Sequence, residues 1–195
     1  MPVMSTAEQS SCRSALWRSF AGHVMLPWAL QGLEPRGQLL ELGSGSAAMA
    51  AGTAARYPDV HVTATDLDPA MVRTAATQLA RYQNATAEQA DVIRLPFADD
   101  SFDVVTSFLM LHHVGDWHQG LEQVYRVLRP GGTFVGYDFT DTFVARAIHI
   151  PDRSPYRLSR PGDLLNALKA TGFERPQVSY GFGRQLMRFV TVTPS

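Results

Sequence analysis

The chain has one cysteine and one lysine in 195 residues, and each scarcity removes a class of explanation. A lone thiol, Cys12, forms no internal disulfide and builds no cysteine-based zinc cage, which fits a reducing cytoplasm. Lys169 stands alone among 17 cations, the others being arginine, and 18 acids bring the net charge to −1. That balance leaves no electrostatic footprint for nucleic acid. No apolar run nears the ~18 residues that span a membrane. Residues 1–14 lack the basic start and apolar stretch of a signal peptide. Repeats and low-complexity tracts are missing as well. With 45% hydrophobic and 18% charged residues, the expectation is one globular, cytoplasmic domain over 1–195, monomer or homodimer.

Hydrophobic periodicity places the elements. Gln38–Leu42 is a short apolar run ending in Gly43, a buried strand. The alanine-rich stretch Ala47–Tyr57, closed by Pro58, predicts a helix. Val60–Thr65 is β-branched and alternating, a strand ending at Asp66. Asp68 then caps a helix that starts at Pro69 and runs to about Tyr82. Thr86–Ala90 gives a weak strand and Phe102–Phe108 a strong one. Asp116 caps a further helix, stopped by Pro130-Gly131-Gly132 before a strand from Thr133 to Phe139. The tail adds a helix from Pro161, ended by Gly172, and two strands joined by a hairpin turn at Gly181-Phe182-Gly183. Upstream, Gly22 and Pro27 break residues 13–33 into two short helices. Strands alternating with helices predict an α/β fold: a doubly wound, mostly parallel seven-stranded sheet with helices on both faces and a C-terminal antiparallel hairpin.

The chemistry starts at Gly43-Ser44-Gly45-Ser46-Ala47, between the first strand and its helix. Glycines there permit positive φ and close ligand approach, and the helix start offers free N–H groups. Asp66 follows at the end of the second strand, where a carboxylate can accept both ribose hydroxyls of an adenosine ligand. A tight turn with no ligand is the bland alternative. Glu41 helps choose: it sits in a strand that should be buried, where an unpaired carboxylate is costly. A ligand bearing a sulfonium or ammonium charge relieves that cost, whereas a pyrophosphate is repelled. Backbone N–H groups or an arginine holding Glu41 would remove the argument.

Four stretches then carry a resemblance: Leu40–Ser46, Ala64–Met71, Ala90–Asp103 and Arg126–Gly132. In order and spacing they resemble the class I S-adenosylmethionine-dependent methyltransferases, in the small-molecule branch that includes the ubiquinone/menaquinone-biosynthesis type. The likeness covers residues 38–139; outside them only the topology matches. Ala47 departs from it, since the family often has a third glycine there. The resemblance implies S-adenosylmethionine as cofactor and S-adenosylhomocysteine as product. It implies Gly43, Ser44 and Gly45 along the methionine portion with Glu41 beneath, and Asp66 on the ribose. Leu67 would lie against the adenine, with Asp91 and the Val92 N–H on its edge. Phe108 would offer its backbone to the amino-acid end.

Methyl transfer is an in-line displacement for which holding the partners in line can contribute on the order of 7–11 kcal/mol. A base matters if the acceptor must lose a proton, and a histidine suits a hydroxyl. His112 and His113 follow the fourth strand at the ligand rim, and Asp138 ends the fifth; these are the candidate catalytic residues, with loop anchoring as the plain alternative. Joined by His149 they leave a divalent metal as an option that no ligand spacing specifies. Residues 142–195 carry an excess of five positive charges, with Arg153, Arg157 and Arg160 available to an anionic or sugar-like acceptor. Residues 140–160 and the N-terminal helices of 1–33, with Trp17 and His23, are expected to form a lid over the acceptor. The first hypothesis is methylation of a small-molecule hydroxyl (sugar, polyketide or phenol). The alternatives are C- or N-methylation, a non-catalytic cofactor-binding subunit and a nicotinamide-dependent oxidoreductase.

Overall fold

A computed structural model describes residues 14–143 and 160–195. Arg153, Arg157, His149 and most of the expected 140–160 lid segment lie outside these residues. The described residues start with α1 (Ala15–Phe20), a π-helical turn (Ala21–Met25) and α2 (Leu26–Ala29). The alternation that follows is β1 (Gln38–Leu42), α3 (Ala48–Arg56), β2 (His61–Asp66), α4 (Pro69–Leu79), β3 (Ala85–Gln89) and β4 (Phe102–Phe108). After a 3₁₀ turn at Leu111–His113 come α5 (Trp117–Val127), β5 (Leu128–Phe139), α6 (Pro161–Thr171), β6 (Glu174–Gly181) and β7 (Leu186–Val192).

The strands form one seven-stranded sheet in the order β3-β2-β1-β4-β5-β7-β6. β1 pairs in parallel with β2 and β4, and β5 pairs antiparallel with β7. The expected architecture is therefore the observed one. β1 reads as a continuous apolar run because both its faces are covered. Leu39 packs with the N-terminal helices and α3, Leu40 and Leu42 with α5 and α6. Short polar signals set the helix starts: the Asp68 carboxylate accepts from the Ala70 N–H at 2.7 Å, and that of Asp116 from the Gln119 N–H at 3.1 Å.

Three local expectations change. Residues 15–29 form one unbroken helical stretch instead of two helices, because a π turn absorbs Gly22 and Pro27 falls at the start of α2, where its missing N–H is tolerated. β5 starts at Leu128, ahead of the Pro-Gly-Gly stop. Its register against β4 breaks between Phe102 and Val104, and the extra residues are tied down by Gly131 N–H to Pro194 O and Thr193 N–H to Gly132 O, both 2.9 Å. The hairpin turn is four residues, 182–185, with Phe182, Gly183 and Arg184 all at positive φ.

Two arginine clamps explain why the Arg126–Gly132 stretch accompanies the 95–103 loop. Arg126 donates to the carbonyls of Leu95 and Phe97 and to Asp99, and Arg129 pairs with Asp103 at 2.6 Å. Asp103 in turn accepts the Gln38 N–H at 2.7 Å, fixing the start of β1. On the far side Arg188, buried on β7, donates to the Ala29 and Gln31 carbonyls at 2.7 and 2.8 Å and so fastens α2 to the sheet. Gly136 of β5 has no room for a side chain: a Cβ would strike the Ser107 carbonyl oxygen and the Phe189 ring. Gly136→Ala is expected to cost at least about 2 kcal/mol, lowering the thermal midpoint by roughly 4 °C or more. An unchanged melting curve by circular dichroism would contradict that packing.

Candidate functional site

Moving outward from β1, the strand order reverses at the β1/β4 boundary, and ligands of such sheets bind outside the carboxyl ends at that place. A cleft of about 740 Å³, open mouth included, lies there. Its floor is Leu42, Gly43, Thr65 and Asp66; Leu67 and Met71 form one wall, Ala90 and Val92 a second, and Leu109, Met110 and His113 a third.

The glycine turn is shaped by the strand beside it. Ser44 N–H donates to Thr65 O and Gly45 N–H to Asp66 Oδ2, each at 2.8 Å. Gly43 and Gly45 take φ of 59° and 54°, and Ala47 follows at 59°, a left-handed angle that costs a residue with a Cβ about 1 kcal/mol. A Cβ on Gly43 would collide with Met110, whereas at Gly45 it would meet open space. Asp66 also accepts the Asp68 N–H at 2.9 Å. Burial raises its pKa above the usual carboxylate value, while the Asp68 and Gly45 N–H groups pull the other way.

Glu41 lies beneath this turn and is 2% exposed. Its Oε2 atom is buried and has no hydrogen-bond partner. Among the described residues neither a backbone N–H nor an arginine holds Oε2, so within them the alternatives that would have dissolved the sequence argument do not occur. Burial alone drives its pKa up to about 8. Ser44 Oγ and Ser107 Oγ are likewise buried without partners.

The remaining candidates divide. His113 faces the cleft. His112 is buried and turned to Asp138, its Nδ1 2.5 Å from Oδ1, with the His112 N–H donating to Oδ2 at 3.0 Å. Asp138, 2% exposed, also accepts the Phe139 N–H at 2.7 Å. A carboxylate engaged by two backbone N–H groups accepts from Nδ1–H, which fixes the orientation of the His112 ring. The two histidine rings lie 4.0 Å apart. Val92 and Leu67 face the cleft, but Asp91 does not line it; its Oδ1 accepts the Ile93 N–H at 3.1 Å, an Asx turn that aims the flanking Ala90 and Val92 inward. Phe108 packs under the cleft against Tyr137, and it is Leu109, at φ 52°, that emerges at the rim. Phe97 and Phe102 pair edge to face in the core, as expected.

His23 of the expected lid bonds the Ser19 carbonyl and lines a separate groove with Arg56 and Arg81. Trp28 packs tilted against Tyr137 and edge to face against Phe182. Arg160 pairs with Asp141 at 3.6 Å. Among the described residues no three His, Cys, Asp or Glu side chains gather as ligands for a metal, and none of their helices is long and apolar enough to cross a membrane. Met71 and Met110, which sequence reasoning missed, are cleft walls whose only signal was adjacency to Pro69 and to the histidines.

A family described as "Methyltransferase domain" matches residues 40–136. A ubiquinone/menaquinone biosynthesis C-methyltransferase of Geotalea daltonii is 36% identical over 110 residues, 54% of this chain and 47% of that protein. A demethylmenaquinone methyltransferase of Clavibacter sepedonicus is 34% identical over 125 residues, 64% of this chain and 48% of that protein. The chain thus spans about half the length of these relatives. Among solved structures, the methyltransferase partner of the Trm112 activator from Haloferax volcanii superposes with a TM-score of 0.79 at 17% identity, covering 97% of this chain and 95% of that one.

Glu41 yields a stability test. Its folded pKa lies above the unfolded value, so the ligand-free protein loses stability as pH rises from about 4.5 to about 8 and levels beyond. Glu41→Gln, which does not titrate, is expected to lack that decline. Chemical denaturation at pH 5, 7 and 9 measures it, and parallel pH dependences in the two proteins would contradict the unpaired carboxyl.

Proposed function

The chain belongs to the class I S-adenosylmethionine-dependent methyltransferases, and from that premise we propose that it methylates a small molecule at a carbon beside an acidic hydroxyl. When bound, S-adenosylmethionine supplies a methyl group on a positively charged sulfur whose departure leaves a neutral thioether. The cleft fits that donor on its own evidence: Glu41 Oε2 is an orphaned acceptor beneath a turn whose glycines stand at positive φ. This one observation carries the cofactor assignment, because an uncompensated buried carboxylate favours a cation above it.

Each cleft residue then has a task. Asp66 keeps lone pairs beyond those given to Gly45 and Asp68 and offers them to the ribose hydroxyls. Leu67, Met71 and Val92 make an apolar slot for the adenine, with the Val92 N–H on its edge. Asp91 takes part by holding the Val92 turn, and Phe108 by placing Leu109 and Met110 at the methionine end. His113 faces the acceptor side and takes the hydroxyl proton. His112, locked by Asp138, presents a flat ring 4.0 Å from that of His113 and sets its orientation.

Deprotonating a phenol or enol places negative charge on both its oxygen and the adjacent carbon, so the same histidine serves either acceptor atom. The relatives named as C-methyltransferases support carbon over the oxygen expected from the histidine pair. Oxygen is the second reading, favoured by the cleft-facing base. A cytoplasmic setting suits the lone Cys12.

Asp66→Asn should weaken S-adenosylmethionine binding at least several-fold by calorimetric titration while the protein stays folded. Equal affinity would remove the ribose assignment. With an acceptor in hand, His113→Ala should lower kcat by about 10²–10⁴-fold and flatten the acid limb of the pH–rate profile. Unchanged profiles in both His113→Ala and Asp138→Asn would instead support a subunit that binds cofactor without chemistry.

A further inference from the structure

We propose that Glu41 is the residue that selects for positive charge in the cleft, and that it does so by exchanging a proton: neutral when no cation lies above the glycine turn, it releases its proton as a cationic ligand binds. The inference rests on the cleft being the S-adenosylmethionine site and adds a coupling that cofactor contact alone does not require.

Among the described residues no side chain offers Glu41 a compensating charge or hydrogen bond. Side chains alternate along β1, so Glu41 shares a face with Leu39, toward the N-terminal helices and α3. On that face the ionisable groups of neighbouring strands are Asp66 of β2, Tyr137 of β5 and Arg188 of β7. Asp66 is an acid and adds no compensation; Tyr137 is fully buried between the rings of Trp28 and Phe108. Arg188 is spent on the Ala29 and Gln31 carbonyls and stands three strands away in the sheet order. Thr106, the β4 residue in register with Glu41, donates its hydroxyl to the Leu40 carbonyl. α3 brings no ionisable side chain before Arg56 at its last residue, and the glycine turn brings none. His23, on the π turn, is bonded to Ser19 and lines the outer groove, and α2 has no titratable residue. Asp68, a second acid, and His113 are the remaining titratable groups that line the cleft.

With Oε2 buried and unpartnered, the ionised form is costly until a positive charge arrives. A sulfonium or ammonium group provides it. The O–H bond of the Glu41 carboxyl then breaks, the proton passes to solvent, and the carboxylate remains opposite the ligand's charge; nothing else is consumed. The burial that pushes the Glu41 pKa to about 8 places this exchange near neutrality.

Calorimetric titration of the whole protein with S-adenosylmethionine at pH 7, in phosphate and in Tris, counts the protons released. Close to one per ligand is expected, since the ligand's own amine (pKa about 7.7–8.0) is already mostly charged there. Affinity should tighten by up to about tenfold per pH unit between pH 6 and 7.5. In Glu41→Gln both effects should vanish while the protein still binds 5′-methylthioadenosine, which shares the nucleoside but carries no charge and should release no proton from wild type. Binding of S-adenosylmethionine without proton release overturns the coupling and leaves the methyltransferase reading standing. Release that persists in Glu41→Gln assigns the proton to another group such as His113 and also overturns it. No binding of S-adenosylmethionine at any pH sinks both.

Discussion

The parallel pairing of β1 with both β2 and β4 is the constraint from which the rest follows. Because chain leaves β1 toward one edge and returns at β4 to build the other, the carboxyl ends at the centre of the sheet are left uncovered by any crossover. The groups with chemical interest sit on that uncovered edge: the glycine turn after β1, Asp66 at the end of β2, the histidines after β4 and Asp138 near the end of β5. The strands need no polar residue to pair. Their polar ends are therefore spared for the ligand, with the two apolar layers above and below supplying the stability.

Within that frame the site concentrates tension in a few residues. A buried carboxyl without a partner and a left-handed alanine both sit within seven residues of Gly43, and each costs folding energy that the apolar layers offset. Glycine at position 47 would relax the backbone, so the alanine marks a place where packing outweighs conformational comfort: the residue is fully buried against α3's own layer. The histidine pair follows the same division, one ring fixed by Asp138 and buried, its neighbour left to face the cleft.

How much of this could be read from the sequence depended on whether the signal was local. β1 and β4 fall where their apolar runs predict, and Asp68 and Asp116 cap where they should, because run length and capping chemistry are properties of neighbouring residues. The π turn was hidden, since Gly22 and Pro27 look like breakers until packing decides that the helix continues. The early start of β5 depends on Thr193 and Pro194 more than sixty residues downstream. The placement of Asp66 at the cleft and the burial of Glu41 were legible from their positions near the ends of β2 and β1. That Asp91 supports a turn while Val92 lines the wall was not, because a carboxylate two residues from its own backbone partner carries the same letters either way. Nor could the letters alone say which of two adjacent histidines meets Asp138, a pairing made across 26 residues.

Arg188 carries a consequence for the order of assembly during synthesis. Helices α1 and α2, which precede the sheet, are fastened to it through the guanidinium of Arg188, on a strand that inserts between β5 and β6. A nascent polypeptide exposing all the cleft residues from Leu42 to Val114 at the ribosome still lacks this tether, and the carbonyls of Ala29 and Gln31 wait for it. Helices α1 and α2 are therefore made before β1 yet lock only after β7, and β5 keeps an open edge until the β6–β7 hairpin leaves the tunnel. Until then that edge is the part of the molecule most exposed to pairing with another chain.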